Sequence, residues 1–235
     1  MKALILSESL AAARARLAAA LADAGRPASA ARLLAVSKTK PSAMIREAWH
    51  LGQRDFGENY VQEALDKQAE LADLDGIVWH FIGPLQSNKT RDVAEHFAWV
   101  HSVDREKIAR RLNDQRPEGL PPLEVCLQVN ISDETSKSGV SLAELPALAE
   151  AVLAMPHLRL RGLMAIPAPA EGRDAQREPF ARLREALEAL RERFPEAPLD
   201  TLSMGMTADL EAAVLEGATL VRLGTAIFGE RTARA

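Results

Sequence analysis

A chain of 235 residues, 47% hydrophobic and 26% charged, can bury a large core and fits one large domain or two small ones. Its formal net charge of -4 argues against a nucleic acid partner, because binding driven by phosphate neutralisation needs a concentrated basic surface. No apolar stretch approaches the roughly 20 residues of a membrane-spanning helix, and a single cysteine, Cys126, leaves no intrachain disulfide and no CxxC metal or redox site.

The first 25 residues are rich in alanine and arginine, as transit peptides are, but Leu6, Leu10, Leu17 and Leu21 recur at helical spacing, and Glu8 and Asp23 interrupt the basic run. Gly25 stands where a helix would end. This segment reads as an amphipathic helix packed on the rest of a cytoplasmic protein. Strands are then expected at 33–38, 55–59, 79–83, 99–104, 123–130, 158–166, 201–205 and 220–224, short runs rich in Leu, Val or Ile and bounded by Gly, Pro, Asn or Ser. Helical periodicity fills the gaps between them. Ser42, Asp104 and Thr207 are expected helix caps, and Gly52 and Gly217 expected stops. Phe180, Leu183, Leu187, Leu190 and Phe194 form one helix face, with Arg182, Arg184, Glu188 and Arg191 opposite on a solvated face. Eight strands alternating with helices predict an α/β fold, a single (β/α)8 TIM barrel spanning 1–235 with one extra N-terminal helix over 1–25. A doubly wound open sheet is the competing architecture. The most loop-like stretches, 131–139 and 167–174, each follow a strand and could line a site.

Barrels carry their chemistry at the C-terminal ends of their strands. The first strand, LLAVSK, ends in Lys38, and Lys40 follows with the same parity beside Pro41, so parity does not choose between the two lysines. An amine at a dry barrel mouth loses its proton more easily than in water and can attack a carbonyl to form a Schiff base. The bland alternative is a strand that ends in two solvated lysines. LSMGMTADL places Ser203 and Gly205 before a helix, and VRLGTAIFG places Gly224 and Thr225 after the last strand. Glycine admits an anion close to the backbone, and helix N-termini aim free N–H groups at it. Loops after strands seven and eight are also where barrels often hold phosphate. Arg222, in an otherwise apolar strand, needs a partner: either a carboxylate such as Asp55 or Glu58, or a ligand ring nitrogen. The five histidines, His50, His80, His96, His101 and His157, show no HxxxH or HExxH spacing, so no metal site is expected. GQRDFGEN (52–59) has phosphate-loop glycines without the Lys-Ser/Thr that would complete one, and reads as a turn plus strand. Lys137, in the loop after the fifth strand, reads as a surface residue, and Cys126 as a small core residue.

Taken together, LLAVSKTKP, FGENYVQE, WHFIGPLQSNK, HSVD, VNIS with a following KSG, RGLMAIP, LSMGMTADLEAAV and VRLGTAIFG resemble the pyridoxal phosphate homeostasis protein family, in order from about residue 30 to 230. The resemblance implies a barrel related to the amino-terminal domain of alanine racemase that binds pyridoxal 5'-phosphate (PLP). It implies Lys38 as the Schiff-base lysine, and Ser203, Gly224 and Thr225 around the phosphate, with Gly205 a further cofactor-binding candidate from its place at the strand end. Arg222 would face the pyridine nitrogen, and Asn59 would lie near the cofactor. Thr207 departs from the family, standing where serine is common.

On this resemblance the chain is a PLP carrier that limits free aldehyde and supplies PLP-dependent apoenzymes, without substantial turnover and as a monomer. The alternative is a PLP-dependent amino acid racemase or related PLP enzyme. Racemisation needs proton donors on both faces of the substrate α-carbon, and Lys38 serves only one. Alanine racemase supplies the opposing tyrosine from a second, β-rich domain, whereas the single tyrosine here, Tyr60, follows the second strand. A Schiff-base aldolase would need an acid-base pair beside Lys38 that the sequence does not offer.

Overall fold

The structure, a computed structural model, describes residues 3–135 and 138–230. Lys137 lies outside the described residues. In chain order the elements are α1 (Leu6–Asp23), β1 (Arg32–Val36), α2 (Ser42–His50), β2 (Asp55–Glu58), α3 (Val61–Glu70), β3 (Val78–Phe81), a 3-10 turn (Ser87–Lys89), α4 (Thr90–His96), β4 (Trp99–Val103), α5 (Glu106–Gln115), β5 (Leu123–Gln128), α6 (Leu145–Leu153), β6 (Leu158–Met164), α7 (Arg173–Arg193), β7 (Thr201–Ser203), α8 (Leu210–Leu215), β8 (Leu220–Leu223) and α9 (Thr225–Phe228). The strands pair in sequence order, all parallel, and β8 closes on β1 through Arg32 opposite Leu220 and Leu34 opposite Arg222. The expected TIM barrel is therefore the fold, and the open sheet is excluded. No helix among the described residues is long and apolar enough to cross a membrane.

Alternation along each strand separates two cores. Leu33 and Ala35 of β1, Phe56 of β2, Phe81 of β3, Val100 of β4, Leu127 of β5 and Val221 of β8 join one cluster with helix residues such as Ile45, Leu112, Phe180 and Leu187. Trp99, Cys126, Met164 and Leu220, of opposite parity on β4, β5 and β8, form a second, small cluster inside the barrel. Irregularities in β4–β5 and β5–β6 pairing shift the register there, which is how β6 keeps both parities usable.

The N-terminal helix forms as its leucine spacing requires: Leu6, Leu10, Leu17 and Leu21 are all buried. It packs against the last helices, where the Ser9 hydroxyl donates to the Ile227 carbonyl at 2.6 Å and Arg16 meets Glu211 in a two-bond pair of 2.7 Å each.

Several local expectations need correction. Each strand stops one or two residues short of its predicted C-terminal end, so Lys38 lies beyond β1 in the turn that follows it. The caps of α2, α5 and α8 are Pro41, Arg105 and Asp209, in place of Ser42, Asp104 and Thr207. Asp104 instead accepts the Gly139 N–H at 3.1 Å, and Asp209 accepts the Met206 N–H at 2.7 Å. These short polar side chains satisfy loop amides, which competes with capping. Helix α7 begins at Arg173, inside the predicted loop, and its charged face is partnered: Arg182 donates to the Ile131 carbonyl, Arg184 pairs with Glu188 and Glu216, and Arg191 donates to the Leu199 carbonyl.

Candidate cofactor site at the C-terminal rim

Val36 pairs opposite Gly57, so the segments that follow, carrying Lys38 and Asn59, leave adjacent strands at one corner of the rim. The turn at Lys38 is held from beneath. Lys67 of α3, itself buried, donates to the Ser37 carbonyl at 2.7 Å and to the Glu58 carboxylate at 2.5 Å. Glu63 accepts the Thr39 N–H at 2.9 Å. Thr39 has φ of 65°, a left-handed conformation that costs a β-branched residue roughly 1–3 kcal/mol. Such strain persists only where the surroundings impose it, and here they flank Lys38. Lys40, the competing lysine, donates from Nζ to the Glu230 carbonyl at 2.6 Å.

Asn59 follows β2 with its Oδ1 buried and without a hydrogen-bond partner among the described residues. A buried amide oxygen left this way costs about 1–3 kcal/mol, so it is suited to accept a hydrogen bond at the rim. Its backbone is pressed by Gly83 after β3, where a Cβ would come within 2.5 Å of the Asn59 carbonyl oxygen.

On the other side of β1, Gly224 follows β8 and abuts Val36, the Cβ position of 224 lying 3.4 Å from the Val36 Cβ. The amides of Gly205, Gly224 and Thr225 find no acceptor among the described residues. Thr225 is exposed and opens the short helix α9. Three free amides and a hydroxyl from the loops after β7 and β8 make a set of donors suited to an anion. Gly205 is glycine for a further reason: it has φ of 100°, and a Cβ there would strike the Ala213 Cβ of α8 at 2.7 Å.

Arg222 and Ser203 lie deeper, inside the barrel. Arg222 is 5% exposed, with Nη1 donating to the Ser203 hydroxyl at 2.8 Å and Nη2 to the Ala165 carbonyl at 3.0 Å. The carboxylate partners Asp55 and Glu58 considered for it are engaged elsewhere, with His80 and Lys67. Burial lowers the Arg222 pKa to about 10, which leaves the guanidinium charged at neutral pH. Ser203 is fully buried, and its oxygen lies 2.7 Å from His101 Nδ1 as well as 2.8 Å from Arg222. The hydroxyl expected to contact the phosphate therefore faces the barrel interior, between the Arg222 guanidinium and the His101 ring. Sequence reasoning also missed Lys67, Glu63 and the pair His80 and His101. The histidines were considered only as metal ligands, although period-two alternation from Phe81 and Val100 would have turned both inward.

Residues 9–232 match the model of the alanine racemase N-terminal domain family. The chain is 64% identical over 226 residues to the pyridoxal phosphate homeostasis protein of Pseudomonas aeruginosa, covering 96% of each chain. The Escherichia coli protein of the same name is 56% identical over 228 residues, covering 96% of this chain and 97% of that one. This chain belongs to the pyridoxal phosphate homeostasis protein family. Among solved structures, a member from Synechococcus elongatus, PipY, superposes with a TM-score of 0.86 without PLP and 0.85 with PLP bound, at 41% and 40% identity over 96% of this chain and all of PipY. Alanine racemase from Corynebacterium glutamicum, 20% identical with a TM-score of 0.67, shares the fold across 95% of this chain and 63% of its own.

Proposed function

We propose that this chain is a carrier of pyridoxal 5'-phosphate in intracellular PLP homeostasis. Lys38 condenses with the cofactor aldehyde, releasing water, and the resulting Schiff base stores the cofactor and limits free aldehyde. The observation that carries this reading is the PLP-bound form of PipY, whose barrel this chain matches over 96% of its length. The chain's own residues fit the group. A lysine on a constrained turn adjoins an unpartnered buried acceptor at Asn59, and the free amides of Gly205, Gly224 and Thr225 suit a phosphate.

The bound cofactor supplies an electrophilic carbon and an electron sink. In this reading Arg222 faces its ring nitrogen. A guanidinium that keeps its proton leaves a neighbouring pyridine unprotonated, which weakens the sink and favours storage over carbanion chemistry. Tyr60, the single tyrosine, is 47% exposed beyond β2, and in this reading it does not act as the second proton donor that racemisation needs. The carrier works as a cytoplasmic monomer and passes its cargo to PLP-dependent apoenzymes.

The test is direct. Protein incubated with PLP turns yellow, and borohydride fixes a phosphopyridoxyl mass on the peptide containing Lys38. A label on Lys40 instead overturns the site, and rapid exchange of an amino acid α-hydrogen with solvent deuterium overturns the carrier reading in favour of an enzyme.

A further inference from the structure

The barrel interior holds an uninterrupted line of polar side chains from Arg222 on β8 to Asp55 at the start of β2. Arg222 Nη1 meets Ser203 Oγ at 2.8 Å, Ser203 Oγ meets His101 Nδ1 at 2.7 Å, His101 Nε2 meets His80 Nδ1 at 2.9 Å, and His80 Nε2 meets Asp55 Oδ1 at 2.8 Å. Arg32 stands beyond, with Nε 3.4 Å from the second Asp55 oxygen. Ser203, His80 and His101 are all fully buried, and His80 stacks on Trp99 at 5.4 Å between ring centroids.

The chemistry of the two ends orients everything between them. Asp55 is held below the usual carboxylate range, since burial opposes the shift but the hydrogen bond from His80 and the nearby Arg32 charge act against it, so it only accepts. Burial holds both imidazoles below their usual pKa, and they are neutral. His80 must then donate from Nε2 and accept at Nδ1. His101 must donate from Nε2 to that nitrogen and accept at Nδ1 from the Ser203 hydroxyl. The Ser203 lone pairs are thereby turned to Arg222, the one permanent donor in the line. A row of buried aliphatic side chains would fill a barrel at no risk of unpaired groups, and a polar chain adds little stability over such packing. What it does add is direction.

We propose that Asp55, His80, His101 and Ser203 are positioning residues that aim the Arg222 guanidinium at the bound cofactor, so that PLP retention depends on a carboxylate at the opposite end of the barrel. The inference rests on the carrier reading for its ligand. Asp209, just before α8, also attracts the Arg222 charge. The Ser203 and Ala165 acceptors hold the guanidinium away from simple ion pairing.

Two measurements test it, the first without cofactor. In protein carrying 15N-histidine, long-range nitrogen-proton spectra at pH 7 should show His80 and His101 neutral and protonated at Nε2; either ring protonated at Nδ1 overturns the proposal. The second compares PLP affinity and the absorption band of the bound cofactor. Asp55→Leu should reorient His101 in the histidine spectrum, shift that band and weaken retention roughly ten-fold. Asp55→Asn, which keeps an acceptor oxygen, should restore both. In an Arg222→Lys background Asp55→Leu should have no further effect on the band, because the element being aimed is gone. An unchanged band and affinity in folded Asp55→Leu, with wild type binding PLP normally, overturns the positioning role and leaves the carrier reading intact. Wild-type protein that takes up no PLP instead overturns the carrier reading.

Discussion

The same eight strands present two unlike faces. Outward, Leu33, Ala35, Phe56, Phe81, Val100, Leu127 and Val221 meet the helices in one apolar layer, where the driving force is area removed from water and many residues of similar volume would serve. Inward, alternate positions of those strands carry Asp55, His80, His101, Ser203 and Arg222, each bonded to a specific neighbour. Burial is nearly as complete inside, where His80, His101 and Ser203 are fully buried and only Asp55, at the start of β2, is partly exposed. The contrast teaches that burial alone does not identify a core: the outer face packs without direction, while the inner face adds to its small apolar cluster a set of side chains held by directed hydrogen bonds.

That comparison can be broken from the outside first. Phe56→Ala removes a fully buried ring from the apolar layer and should cost about 3–5 kcal/mol in urea unfolding, with the PLP affinity of the remaining folded protein unchanged. A loss of affinity to match the loss of stability would show that the two faces are not separable.

A smaller effect should appear with pH, from the buried pair beneath the rim. Burial pushes the Glu58 carboxyl up to about 7, further than Lys67 and Ser37 pull it down. The unfolded carboxyl releases its proton near 4.5 while the folded one holds it, so stability is greatest below that value and falls as pH rises towards 7. The drop should reach about 3 kcal/mol at most, levelling off above 7. Glu58→Gln should flatten this part of the pH profile. A profile that rises across the same window would mean that Lys67 dominates the pair.

The smallest effect is a null one. Cys126 sits in the inner cluster beside Trp99 and Met164, and burial pushes its thiol up to about 12. It should resist thiol reagents at neutral pH until the chain unfolds, labelling at the unfolding rate. Fast labelling of the folded protein would mean that the barrel interior admits solvent.

How far the sequence reaches can be judged from particular residues. Alternating strand and helix patterns identified every strand of the barrel, though each was predicted to end later than it does, because the apolar run continues into loops that share the pleat without the pairing. Lys38 stood out as a candidate from its place after an apolar run, and its preference over Lys40 rests on family resemblance. Arg222 was legible as a buried charge in need of a partner. Its partners within the barrel, the Ser203 hydroxyl and the Ala165 carbonyl, were not. Lys67 gave no signal, lying on a helix whose neighbours look ordinary, yet it ties the Lys38 turn to Glu58.

By itself, then, the amino-acid order determined the succession of elements, the face of a strand residue wherever the pairing is regular, and the family. Those properties are local: a period of two along a strand, or of three and four along a helix, is written in consecutive residues. Only the closed barrel decided that His101 meets Ser203 across 102 positions of sequence, and that an aspartate on β2 lies in line with an arginine on β8. Such layers depend on strand register and on the tilt needed for closure, and both are set by the packing of the whole sheet.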